Sequence, residues 1–513
     1  MCEPDSPFLS KHNKTFTMRV AKTFIFAVAV FAGLACKTLF PDTVTKTPLP
    51  TTTPNGPTPS ADNPFPGPEG IGDPYFPDLG NGGYDAQHYH IDLDVDMELN
   101  EISGSTTIEA VATQELSSLN LEFLGLQIDQ LSVGGATAQY ERNEGELTIF
   151  LPEILDSGQS FLVEVQYHGT PGEGLGSNLP EYSIGWGYYN EGEGVYVAGE
   201  PTGSSYWYPV NEHPLDKATY SYTITVDQPY VVAANGLLQD TIDEGDKTTY
   251  EWEAEFPMAS YLTTIAIGEF DVQNIAGPNG LPIRNYFGVD VPQSVRDDFA
   301  RIPEMIAYFN EIFGPYPFEA AGVVVHDADF GFSLETATLV VFGRSFTDEY
   351  VVAHELSHQW FGDSVGLARW QDIWLNEGFA TYASALWEEH AYGSDKLDEK
   401  VRGFYEGMAF GQDLFPPPGD PGPDALFNGS VYERGALTLH ALRLAVGDEA
   451  FFNILRTYFA RYENSNATTD DFIAVAEEVS GQELSDLFDA WLYQEPLPDI
   501  PEMDLFQADF ISE

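Results

Sequence analysis

The segment His354-Glu355-Leu356-Ser357-His358 constrains this chain more than any other stretch. Residues four apart share one face of a helix, so both imidazoles can reach a single metal ion while Glu355 looks into the same cleft. Two imidazoles alone would leave that ion half held. Glu377 follows His358 after 18 intervening residues, inside the helical segment Trp374-Leu375-Asn376-Glu377-Gly378-Phe379-Ala380-Thr381-Tyr382. Two histidines and one glutamate make a three-ligand zinc site whose fourth position stays open for water. The chain must therefore bring two helices together at one ion.

The flanks His358-Gln359-Trp360-Phe361-Gly362-Asp363 and Trp374 to Tyr382 resemble the gluzincin aminopeptidases, the family of aminopeptidase N and the leukotriene hydrolase, in motif and intervening length. The resemblance covers roughly residues 80–495 and implies one zinc ion and peptide substrates with a free amino terminus. It also implies an amino-terminal antiparallel β domain followed by a thermolysin-like, mostly helical catalytic domain. The large carboxy-terminal helical domain of aminopeptidase N has no counterpart, so the expectation is a short two-domain member.

Composition excludes other classes. With 81 acidic against 21 basic residues the formal charge is -60, which leaves no electrostatic footprint for DNA or RNA. Hydrophobic residues still make up 43%, enough for a well-cored globular protein. Asp92, Asp94 and Asp96 alternate with Leu93 and Val95 as the wet face of a half-buried strand would.

The chain opens with an address label. Met18-Arg19-Val20-Ala21-Lys22 is basic, and the apolar run Thr23 to Ala35 is 13 residues long. At 1.5 Å per residue such a run cannot cross a hydrocarbon core of ~30 Å, so it reads as a signal segment, residues 1–36. Cys36 after Gly33-Leu34-Ala35 resembles a bacterial lipoprotein acceptor cysteine, although Gly33 stands where that motif usually has an aliphatic residue. An extracellular or cell-surface location with a lipid anchor at Cys36 is the expectation. Cys2 is the only other cysteine, so no intradomain disulfide is available.

Residues 37–83, rich in Thr, Pro and Gly, read as an extended tether. From Tyr84 to about 272 apolar and polar residues alternate between turn signals, which predicts antiparallel strands. The catalytic domain is expected over 273–500, with a helix near Val295–Phe313 and helices toward the end, and 501–513 as a tail.

Further site residues follow from the resemblance. Glu355 is the general base, and Tyr432 in Val431-Tyr432-Glu433-Arg434-Gly435 matches the tyrosine that hydrogen-bonds the oxyanion. Glu335 in Phe332-Ser333-Leu334-Glu335-Thr336 matches the glutamate of the family's G-x-M-E-N segment, with Phe332, Leu334 and Thr336 replacing Gly, Met and Asn. Glu200, counting back 14 residues from Pro214, falls where a second carboxamide or carboxylate holds the substrate amine. Asp372 matches a position the family fills with Asp and is a candidate for orienting the ligands. The rival readings are a thermolysin-like endopeptidase, needing no amine anchor, and a peptide-binding surface protein without turnover.

Overall fold

The computed structural model describes residues 64–143, 145–172, 185–190, 192–411 and 415–510, and the leader with Cys36 lies outside them. Among the described residues the alternating stretches become an eight-stranded sheet whose centre is Ala218–Asp227, Tyr84–Asp96, Glu101–Ala112 and Ser160–Gly169. Leu93 and Val95 point inward while Asp92 is exposed, as the alternation requires. A three-stranded sheet (Leu116–Glu122, Gln139–Asn143, Glu146–Leu155) and a four-stranded one containing Gly194–Ala198 complete this domain.

One ladder departs from the antiparallel expectation. Tyr84–Asp96 pairs with Ala218–Asp227 in parallel, Leu93 opposite Ile224. Alternation fixes which side chains are buried but carries no strand direction, so this pairing has no local signature.

The domain limits also shift. Phe270–Ala276 pairs with Pro282–Gly288 in the five-stranded sheet of the catalytic domain, so the boundary at 272 cuts a strand. Residues 64–83, assigned to the tether, are packed instead. Asp73, 4% exposed, accepts the N–H groups of Tyr75 and Phe76 from its own segment and of Trp370 from the catalytic domain, and lies 3.2 Å from His213 Nε2 of the β domain. Phe76 packs edge-on against Trp370. Residues 501–510 are likewise no free tail: Met503 and Leu505 are buried and Phe510 meets Tyr405 of the helix Ser394–Gly411.

In the catalytic domain, the sheet order ends with the two-residue strand Ser333–Leu334 at the edge, bonded only to Val340–Phe342. The motif helix Glu349–Ser357 starts where the Asp348 side chain caps the N–H groups of Tyr350 and Val351. Its neighbour Trp374–Tyr392 is buried continuously from Trp374 to Trp387, which makes it the central helix of the domain. The expected helix over 295–313 is broken into Gln293–Asp298 and Ile302–Ile312, with Pro303 in the first turn of the second.

Candidate active site

His354 and Glu355 lie in the motif helix, His358 at its carboxyl end and Glu377 in the first turn of the central helix. His354 Nε2 is 3.1 Å from Glu377 Oε2, and His358 Nε2 is 3.6 Å from the same oxygen. A tetrahedral ion with bonds of about 2.0–2.1 Å spaces its ligand atoms roughly 3.3 Å apart, so these three donors fit a single zinc. The His358 ring is oriented from behind, its Nδ1 lying 3.2 Å from the Phe361 carbonyl. Gly362, at φ 132°, permits this turn, and a Cβ there would come within 3.1 Å of His358 Nδ1.

The local charge also calls for a cation. Burial pulls the His358 imidazolium down, yet Glu335, Glu377 and Glu355 push it up to about 10. Glu377, which burial would neutralise, is held at about 2 by the two imidazoles. A divalent ion would relieve the excess of buried carboxylates.

Glu355 is 7% exposed, and burial together with Glu335 and Glu377 raises its carboxyl well above the usual range. Such a carboxylate readily takes a proton. Tyr432 stacks on His354 with ring centroids 6.0 Å apart and planes 20° apart. Burial and the carboxylates of Glu377, Glu200, Glu335 and Glu355 keep its phenol protonated, so it can donate a hydrogen bond. It stands on a π-type turn, Ser430–Arg434, drawn against the central helix where Gly378 meets Gly435. A Cβ on Gly378 would lie 2.9 Å from the Gly435 backbone, so side chains there would push the tyrosine turn away.

Glu335 follows the edge strand and Glu200 follows the β-domain strand Gly194–Ala198. Oxygens of Glu200, Glu335 and Glu377 lie within 4.8 Å of one another. Among the described residues one buried oxygen each of Glu200 and Glu335 has no hydrogen-bond partner, so both are left to a ligand. The replaced neighbours turn elsewhere: Phe332 packs against Phe330 and Tyr196, and the Thr336 hydroxyl donates to the Leu339 carbonyl.

Asp372 does not orient the ligands. It takes hydrogen bonds from Arg369 and from Thr469, whose hydroxyl in turn accepts the Trp374 indole N–H, so it fastens the entry to the central helix. Two other residues hold the surroundings of the ligand set. Gln359 donates to the Glu335 carbonyl and to Asp363, and its oxygen accepts the Thr338 N–H, tying the motif helix to the edge strand. Lys217, from the β domain, donates to the carbonyls of Asp363, Ser364 and Ser465 and so holds the turn after His358. Gln359 and Asp363 sit in the flank that carries the resemblance; nothing in the sequence singles out Lys217.

The sequence matches the peptidase family M1 domain over residues 304–491 and the peptidase M1 N-terminal domain over residues 85–262. The fold is similar to that of the M1 zinc metallopeptidase of Deinococcus radiodurans, solved with a Tyr-Ser-Ala substrate, with a TM-score of 0.78 and 30% identity over 84% of this chain and 99% of that one. Aminopeptidase M1-B of Oryza sativa is 28% identical over 83% of this chain and 52% of its own length. The leucyl aminopeptidase of Saccharolobus solfataricus is 25% identical over 80% and 54%. Thus the chain spans about half the length of these curated relatives and nearly all of the Deinococcus chain. Two helices converge on His354, His358 and Glu377, with a β domain feeding a carboxylate into the same cleft, in a fold similar to that of a two-domain M1 zinc metallopeptidase. The chain belongs to peptidase family M1.

Proposed function

We propose that this chain is a zinc aminopeptidase that removes amino-terminal residues from peptides. The observation that carries this reading is the pair Glu200 and Glu335, each with one buried oxygen that has no hydrogen-bond partner among the described residues, beside the ligand set. An α-ammonium held there fixes the first peptide bond over the metal and leaves no room for preceding residues. The Tyr-Ser-Ala substrate of the Deinococcus relative presents such a group.

His354, His358 and Glu377 would hold the zinc ion, which when bound would polarise the scissile carbonyl and lower the pKa of the attacking water. Glu355 takes the proton of that water and passes it to the leaving amine. Tyr432 donates its hydroxyl hydrogen to the oxyanion as negative charge develops. Glu200 and Glu335 hold the ammonium, and the edge strand ending at Leu334 lies alongside.

Glu335→Ala tests the exopeptidase reading. An ammonium deprived of one carboxylate loses a charge-assisted contact of roughly 1.5–3 kcal/mol, or about 10- to 100-fold in kcat/KM. The loss is expected on free-amine aminoacyl reporters, together with weaker discrimination against amino-terminally blocked ones. Untouched free-amine kinetics would favour the endopeptidase reading.

The proposed location rests on the leader alone. Among the described residues no helix is long and apolar enough to cross a membrane. A lipid on Cys36 is the proposed anchor, and Cys36→Ser is expected to move the protein from the membrane fraction to the extracellular medium. Membrane association unchanged in that variant, or a mature terminus elsewhere by mass spectrometry, would end this proposal.

A further inference from the structure

We infer that Glu212 is a positioning residue for the ammonium anchor, holding Glu200 in place from behind without touching substrate. This inference rests on the proposed role of Glu200. Glu212 is 1% exposed, and a single oxygen, Oε1, accepts the N–H groups of Gly203 at 2.6 Å, Ser204 at 2.6 Å and Ser205 at 3.3 Å. Three consecutive amides converging on one carboxylate oxygen make an anion nest, which fixes the path of the backbone that donates them. That backbone begins three residues after Glu200.

The loop is folded too tightly to keep its course without this anchor. Gly203 has φ 153°, and a Cβ there would meet Gly185 N at 2.7 Å and Gly199 Cα at 3.1 Å, so residues 199 and 203 nearly touch across the turn that carries Glu200. Glu212 is itself immobilised: its N–H donates to Glu122 Oε2, while Glu122 Oε1 accepts the Gly80 N–H and the Glu122 backbone pairs in both directions with Val210. A relay of buried backbone contacts thus runs from the strand Leu116–Glu122 through Glu212 to the turn of Glu200. Among the described residues no hydrogen bond of Glu212 reaches the metal ligands, Glu355 or Tyr432.

The test compares E212A, E212Q, E200A and E200A/E212A with the unaltered zinc-loaded enzyme on free-amine aminoacyl reporters, with zinc content and thermal unfolding measured on each. Glutamine keeps an acceptor oxygen where the nest needs it; alanine removes it. E212A is expected to raise KM roughly tenfold with kcat within about threefold and zinc content unchanged, since a shift of the anchor weakens ground-state positioning. E212Q is expected to recover most of that loss, and the double variant to be no worse than E200A alone, as for residues acting through one another. Folded, zinc-loaded E212A with an unchanged KM would overturn the inference, as would a double variant in which the two effects multiply. If E212A does not fold, E212Q carries the test: a KM rise of about two- to threefold, absent on top of E200A, supports the inference, and an unchanged KM overturns it. An E200A with unchanged KM would instead remove the anchor reading, and this inference with it.

Discussion

Glu355→Gln is expected to lower kcat by roughly a thousandfold while leaving one zinc per chain, because general-base catalysis of this kind contributes about 10²–10⁴-fold. The substitution is nearly isosteric and the three ligands are untouched. Its amide cannot take the proton that the Glu355 carboxyl, raised well above its ordinary range by burial and by Glu335 and Glu377, is suited to hold. The measurement is steady-state turnover beside atomic absorption on the same preparation. Near-normal kcat at full zinc content would sink the proposed division of labour.

His358→Ala should behave in the opposite way, losing the metal first and the activity as a result. Structural zinc sites bind with about 10–16 kcal/mol over four ligands, so one ligand is worth roughly 2.5–4 kcal/mol, or on the order of 10²–10³-fold in affinity. The expected outcome is a variant purified without zinc, as inactive as the chelator-treated enzyme and recovering little at micromolar zinc. His354→Ala and Glu377→Ala should follow the same pattern. Full zinc content in any of the three would remove that residue from the ligand set.

The metal site was legible because its information is local. A four-residue spacing places His354 and His358 on one helix face whatever the rest of the chain does, and Glu377 lies one loop away. Glu200 and Glu335 are far apart in sequence, and only resemblance to known relatives could select them from 81 acidic residues. Asp372 was misjudged because proximity to Glu377 along the chain says nothing about which way a side chain turns; its carboxylate faces Arg369 and Thr469. Lys217 acts on a turn that folding alone brings near it, and its role appears only once the β domain is docked, while Glu212 acts on amides close by in its own loop through a contact that no motif announces. In the fold, alternation marked the stretch from Tyr84 as strands, while the parallel pairing of Tyr84–Asp96 with Ala218–Asp227 depends on long connections that carry no periodic signal.

The segment that contains Asp73 bears on how the enzyme can move. One buried carboxylate is shared between His213 of the first domain and the Trp370 amide of the second. Swinging the domains apart about a hinge would take one of these partners from it, the Tyr75 and Phe76 N–H groups staying with their own segment, and leaving a buried polar group short of a hydrogen bond costs roughly 1–3 kcal/mol. Wide opening of the domains is thereby discouraged. On the proposed function, peptide ends that are already unstructured would reach the Glu200 and Glu335 pair without such an opening.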